Sequence, residues 1–233
     1  MERKPVYAST SRRLTVGYHL ENAVTVEGQD LEDVQTFVYL GSKIAAKGEA
    51  DVDVQARLNK ALGIFNKLGP IWRSNTIRNE VKLRLYSSIV VPTAIYACET
   101  WRRTANLERK LNVFHRKCLR RILRISWRDH VTNAELLRRA RQKNLQTIVN
   151  ERRLKMAGHV MRLPQRRPAR TALDWVPPNL RRGRGRPKKT WRSTLIEDLG
   201  TANLTLVEAI RTAQNRNDWR LIVDRCSHRN GRH

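Results

Sequence analysis

The chain has 233 residues, 40% of them hydrophobic, with a mean hydropathy of −0.61, enough apolar material for one or two small cores. No run approaches the ~20 apolar residues of a membrane span, and Met1-Glu2-Arg3-Lys4-Pro5 lacks the apolar stretch of a secretory signal, so an intracellular, membrane-free protein is expected. Its 47 Lys+Arg against 21 Asp+Glu give a net charge of +26, for which a solvated basic surface is the bland reading.

At the N-terminal end, Val24 to Leu31 alternates apolar and polar residues around Gly28. Phe37-Val38-Tyr39-Leu40-Gly41 follows as a second β-rich run, so a small antiparallel β element is expected. Asp51 and Asp53 read as helix-start acids before Val54, Leu58, Ala61, Leu62, Phe65 and Leu68, a helical stripe that Gly69-Pro70 ends. A second helix is expected to start near Ser74, Asn75 or Thr76, with Ile77, Val81, Leu85 and Ile89 on one stripe until Pro92 interrupts its hydrogen bonding. The third turns Leu107, Leu111, Phe114, Cys118, Ile122 and Ile125 inward, which leaves Arg109, Lys110, Arg116, Lys117, Arg120, Arg121 and Arg124 on the other faces.

Asn133 is expected to cap a short helix through Arg139, and a longer one spans Leu145 to Met161 on Ile148, Val149, the stem of Arg152, Met156 and Val160. From Pro164 to Lys189 the composition shifts to Pro, Gly and Arg, which predicts a linker or binding arm without regular structure. Helices then return at Trp191–Leu199 and Leu204–Ala213, and Trp219, Leu221, Ile222 and Val223 make a last apolar cluster. Six tryptophans are spread along the chain and are expected mainly to seal small cores, with some free to stack on bases.

The charge is unevenly placed. Residues 1–100 hold 13 basic and 11 acidic residues, whereas residues 101–233 hold 34 and 10. Cations crowded in this way repel one another, and a polyanion relieves that by giving up its condensed counterions. DNA, RNA or both are therefore the expected partner, with a ribosomal or histone-like structural role as the bland alternative; protein partners are not specified.

The most specific local motif is Arg182-Gly183-Arg184-Gly185-Arg186-Pro187-Lys188-Lys189, which resembles an AT-hook. Gly185 adds no bulk between Arg184 and Arg186, so the backbone can approach a narrow minor groove while both guanidinium groups enter its negative potential. Arg181, Arg182, Lys188, Lys189 and Arg192 would contact phosphates; a generic basic tether fits the same string. Arg186-Pro187-Lys188-Lys189 is also compatible with nuclear import.

Enzyme chemistry is thin. Two-metal polymerisation needs closely placed carboxylates, but no Asp-Asp pair occurs, and Asp51-Val52-Asp53 and Glu197-Asp198 are better explained as helix-terminal residues. Cys98, Cys118 and Cys226 are odd in number and far apart, which predicts reduced thiols; a zinc site from His115, Cys118 and His130 would lack any paired C-x-x-C. No catalytic residue, metal ligand or cofactor is assigned. Of the histidines, His159 in Ala157-Gly158-His159-Val160 is the one that suggests a backbone-contacting role.

Several of these segments, in this order, resemble the C-terminal part of non-LTR (LINE-type, of the RTE/CR1 kind) retrotransposon reverse transcriptases. Phe37-Val38-Tyr39-Leu40-Gly41-Ser42-Lys43-Ile44 is similar to the hairpin that closes the palm. Tyr96-Ala97-Cys98-Glu99-Thr100-Trp101, Cys118 to Leu123, Ile125-Ser126-Trp127-Arg128-Asp129, Gly158-His159-Val160-Met161-Arg162 and Gly185-Arg186-Pro187 continue the likeness, over about residues 24–225. The resemblance implies that Tyr39 and Gly41 grip a primer end and that the helices after them form a thumb. It also implies that the family's catalytic aspartates, their Mg²⁺ and the endonuclease lie before residue 1, so polymerase activity is not carried over.

The expected architecture is mainly α within the α+β class. It comprises a palm-end hairpin remnant (1–46), thumb-like helices (47–103), a basic helical region (104–163), the basic arm (164–192) and a C-terminal helical cap (193–233). The function this predicts is clasping template and primer through phosphates. A domesticated or structural DNA-binding protein using its AT-hook-like arm, and a cryptic nuclease, are the alternatives.

Overall fold

A computed structural model describes residues 12–13, 25–26, 29–30, 32–39, 41–45, 50–174 and 189–229. The chain divides into two units, Met1–Ala56 and Arg57–His233. The expected class holds: helices dominate, and small antiparallel β elements lie near the N-terminus.

In the first unit, β1 (Arg12–Arg13) pairs in parallel with β4 (Glu32–Asp33), and β2 (Thr25–Val26) pairs antiparallel with β3 (Gln29–Asp30). The main hairpin joins β5 (Thr36–Tyr39) to β6 (Ser42–Ala45), with Phe37 opposite Ile44 and Tyr39 opposite Ser42. Its turn needs Gly41, whose φ of 78° is a left-handed conformation that a side chain disfavours. Helix α1 (Ala50–Lys67) opens with Asp51 and Asp53 in its first turn. Asp53 is more than a solvated helix-start acid, because it is buried and its carboxylate accepts a 2.8 Å hydrogen bond from the backbone N–H of Lys43 in β6. That bond ties the hairpin to the helix start.

In the second unit, Gly69-Pro70 does not lead into a loop. It starts α2 (Gly69–Arg73), where proline suits a first turn because its missing N–H would have no partner there. Trp72 stacks on Phe65 with centroids 5.2 Å apart, and its indole N–H donates to the Phe65 carbonyl at 2.7 Å. Lys82 is almost fully buried, and its ammonium caps the end of α2 by donating to the carbonyls of Trp72 (3.2 Å) and Ser74 (2.6 Å).

Helix α3 (Asn79–Leu85) starts later than expected and turns a different face inward. Val81 and Ile89 of the expected stripe are 53% and 40% exposed, whereas Leu83, Tyr86, Val90 and Ala94 are buried. Both rows have helical spacing, and the aromatic surface of Phe65 and His115 selects the second through Tyr86. A single π-turn at Tyr86–Val90 then feeds α4 (Val91–Ala94), so Pro92 sits in a new first turn and does not stop the helix outright.

Helix α5 (Ala105–Leu123) buries Leu107, Leu111, Phe114, Cys118 and Ile122 as expected, and Ile125 lies just beyond its end. Thr132, not Asn133, caps α6 (Asn133–Ala140), its hydroxyl accepting from the Glu135 N–H. Helix α7 (Leu145–Met161) is buried around most of its circumference. The arginine it buries is Arg153, not the expected Arg152. Arg152 stays partly exposed, beside Glu99.

Part of the expected irregular arm is helical. Pro168 begins α8 (Pro168–Asp174), and Leu173 reaches the C-terminal core. Residues 175–188 lie outside the described set, and the arm motif with them. Beyond them come α9 (Trp191–Gly200), α10 (Leu206–Ala213, capped by Thr205) and α11 (Arg216–Arg229). Leu154, Ala157 and Met161 of α7 share a core with Leu195 and Leu199, Ala209 and Ala213, and Trp219, Ile222 and Val223 from those helices.

Candidate nucleic-acid interface

The basic face of α5 is built by periodicity. Thr104 caps the helix by accepting from the Leu107 N–H at 3.2 Å, and Glu108 adds an acid to the first turn. At 100° per residue, Arg109, Lys110, Arg116, Lys117, Arg120 and Arg121 fall within one arc of about 140°, and from Arg109 to Arg121 they extend over ~18 Å. The buried apolar residues Leu107, Leu111, Phe114, Cys118 and Ile122 take the opposite arc, whereas Val113 is exposed among the cations.

Neutral groups hold several of these cations. Arg120 donates to the Val131 carbonyl at 2.7 Å and to Asn133 Oδ1 at 3.3 Å, which pins the connection between α5 and α6. Arg121 donates to Asn66 Oδ1 at 3.3 Å and lies 5.8 Å from the Phe65 ring centroid. Arg124 takes a left-handed conformation (φ 57°) that ends α5, and its guanidinium donates to the Arg73 carbonyl. Arg109 donates to Asn106 Oδ1 at 3.1 Å. A carbonyl or amide oxygen orders a guanidinium without cancelling its charge, so these contacts fix the cations and leave the field intact. Neither Arg116 nor Lys117 has a side-chain hydrogen bond or ion pair among the described residues.

The remaining expected contacts divide three ways. Tyr39 is exposed on β5 beside the Gly41 turn, in the first unit. Lys189 forms a 2.7 Å ion pair with Glu197, which offsets its charge locally, and Arg192 is exposed on α9. Arg181, Arg182, Arg184, Arg186 and Lys188 lie outside the described residues.

Trp127 is a feature that the packing role expected of most tryptophans passes over. Trp72, Trp101 and Trp219 are buried, but Trp127 is 79% exposed, in the short turn after α5. Ser126 and Asp129 brace that turn through a reciprocal capping box, and the Arg128 guanidinium lies 5.4 Å from the indole centroid. An exposed indole on a braced turn with a guanidinium beside it is a surface on which a base can stack. Its sequence signal is Ser126 followed by Asp129, with the tryptophan between them and away from any apolar stripe.

The buried titratable groups serve the fold. Tyr86 Oη lies 2.8 Å from His115 Nδ1, and burial pushes the His115 pKa down to about 4. Burial pushes the Cys98 and Cys118 thiols up to about 12, which keeps both protonated and unreactive. His130 is exposed, and among the described residues no three His, Cys, Asp or Glu side chains are placed to hold a metal ion.

Asp198 departs from the helix-end role expected of it. It is 1% exposed, accepts from Arg153 Nε at 2.7 Å, and lies 3.8 Å from Arg103 Nη1. Arg153 also donates to Asn150 Oδ1 (2.7 Å) and to the Trp101 carbonyl (2.9 Å), which links α7, α9 and the turn before α5. Burial raises the Asp198 pKa, and Arg153 opposes that shift.

Gly158 also serves packing: a Cβ there would lie 2.1 Å from Trp219 Nε1. His159 beside it is exposed. Among the described residues no helix is long and apolar enough to cross a membrane.

The chain is 26% identical over 202 residues, 84% of its own length and 72% of the other's, to a Caenorhabditis elegans protein whose name describes it as transposon-derived. No protein-family model matches the chain. No solved structure matches it either.

Proposed function

We propose that this chain derives from a transposon and is the nucleic-acid-holding, C-terminal part of a LINE-type reverse transcriptase. It clasps template and primer through phosphate contacts and carries no polymerase centre of its own. The similarity to the transposon-derived nematode protein supports the origin. The observation that carries the binding role is the cation arc of α5, where guanidinium groups are ordered by neutral acceptors and so keep their full charge. Phosphate neutralisation by such an arc needs no base-specific contact, so sequence preference is weak. Intracellular, nuclear use and contributions from Tyr39, Gly41 and the arm residues belong to the same reading.

A salt series on the full chain tests it. With about six phosphates neutralised, affinity for duplex DNA or a DNA–RNA template-primer falls roughly a thousandfold between 50 and 200 mM salt. Substituting Arg116→Gln and Lys117→Gln together lowers the log–log slope by about 2. Template-primer with Mg²⁺ and deoxynucleotides yields no extension. Affinity indifferent to salt, or primer extension by the pure chain, overturns the proposal.

A further inference from the structure

Residues from α3, the end of α5 and the end of α6 line a cavity of about 590 Å³ within the second unit. Leu83, Leu123 and Ile125 give it apolar lining, and Arg84, Arg139 and Arg141 are the cationic residues of the same lining. The volume falls in the range that holds a small organic ligand.

The arginines narrow the class of ligand. Among the described residues the Arg84 and Arg141 side chains have no hydrogen bond or ion pair. Arg139 shares the carboxylate of Glu135 with Arg138, in an exposed cluster whose pairs contribute little. Against three guanidinium groups the lining sets the carboxylate of Glu80, so the space favours an anion that also has an apolar or aromatic body. A hydrocarbon would leave the charges unused, and inorganic phosphate would leave the apolar wall wet.

Two further side chains suit a base edge. Leu83 O and Gln142 Oε1 lie 2.9 and 3.1 Å from Ser87 Oγ, whose single proton serves one of them at a time, and the Gln142 amide brings both a donor and an acceptor to the cavity lining. Glu80 can only accept, so it favours a base with an exocyclic amino group over one that presents a carbonyl.

We infer that this cavity receives one unstacked nucleotide of a single strand or frayed end, its base against Leu83, Leu123 and Ile125 and its phosphate on Arg84 and Arg141. Cytosine is preferred to uracil or thymine. The inference rests on the nucleic-acid-binding reading above and adds a site to it: the α5 arc holds backbone, whereas the cavity reads one base.

The test uses the full chain, fluorescence anisotropy and three probes: a single-stranded deoxycytidine 10-mer, the same 10-mer with abasic positions, and a blunt duplex. Photocrosslinking with a 5-iodocytosine 10-mer, mapped by mass spectrometry, locates the contact. Expected are crosslinks to peptides from residues 79–87, 123–125 or 139–142, and, in the Trp127→Ala background where the exposed indole no longer contributes a base contact, weaker binding of the abasic strand by about tenfold, the scale of one lost base contact.

Arg84→Gln with Arg141→Gln weakens the deoxycytidine strand about tenfold more than the duplex. Ile125→Trp, which fills the space and keeps every charge, reproduces the single-strand loss. Adding free cytidine monophosphate separates a nucleotide from a strand: competition at millimolar concentration supports a site for one nucleotide. Equal losses on duplex and single strand, abasic binding as tight as deoxycytidine, or crosslinks only elsewhere would overturn the cavity assignment. Salt-sensitive duplex binding would meanwhile leave the broader reading standing. Absence of binding to every probe overturns both.

Discussion

Replacing Gly158 by alanine puts a methyl group where Trp219 already sits. The added Cβ would lie 2.1 Å from Nε1, 2.4 Å from Cδ1 and 2.6 Å from Cε2 of an indole that is itself buried. To reach ordinary contact the ring must retreat by more than ~1 Å into a close-packed core, an overpacking cost of about 1–3 kcal/mol.

The same movement breaks the 3.0 Å hydrogen bond from the indole N–H to the Leu154 carbonyl. A buried donor left without a partner adds about 1–3 kcal/mol, and alanine returns about 1 kcal/mol through helix propensity. The net loss is about 3 kcal/mol, which for a chain of this size lowers Tm by about 6–12 °C. Circular dichroism melts and urea titration of the wild-type and G158A chains measure it.

A double-mutant cycle isolates the cause. With Trp219→Leu the clash is gone, so Gly158→Ala becomes nearly neutral and the coupling is about 2–3 kcal/mol. An alanine variant as stable as the wild type, or a loss that persists unchanged in the Trp219→Leu background, refutes the packing argument.

Arg153→Met leaves the 1% exposed Asp198 carboxylate with Arg103, 3.8 Å away, in place of its hydrogen-bonded partner, and thermal melts should register a loss of about 3 kcal/mol. The double variant with Asp198→Asn recovers part of that loss; if both variants melt like the wild type, the network is not holding α7 and α9 together. His115 has its folded pKa lowered from 6.5 to about 4, so the neutral form's contribution is complete above pH ~6.5 and is lost as pH falls toward 4. That window holds about 3 kcal/mol from this group, and urea midpoints at stepped pH should fall less steeply for His115→Gln; parallel curves would reject the assignment. Trp127→Ala, at an exposed position, changes stability by less than ~0.5 kcal/mol but weakens single-stranded DNA binding about tenfold, and leaves heparin binding unchanged. Equal loss on heparin, which has no bases to stack, would remove Trp127 from the interface.

The sequence by itself determined the features that arise from local or additive terms. Helix α5 is legible because its apolar residues recur at 3.6-residue spacing, α7 only as a helix because burial around most of it leaves Ile148, Met156 and Val160 of the expected stripe half-buried, and the charge asymmetry because charges sum without regard to fold. The hairpin at Gly41 follows from a residue that tolerates positive φ.

The tertiary structure decided what depends on a partner distant in sequence. Arg152 and Arg153 are chemically identical neighbours about 100° apart on one helix, and the acceptors that make burial of the second tolerable include the Trp101 carbonyl, 52 residues before it, and the Asp198 carboxylate, 45 residues beyond. The two apolar rows of α3 are equally periodic, and the aromatic surface from Phe65 and His115 chose between them. Gly158 carries no sign of Trp219 in its own neighbourhood, and the cavity exists only where α3, α5 and α6 converge. Periodicity tells a helix that it has an inside, but the cost of burying a charge or the room for a methyl group is set by the surface that arrives opposite it.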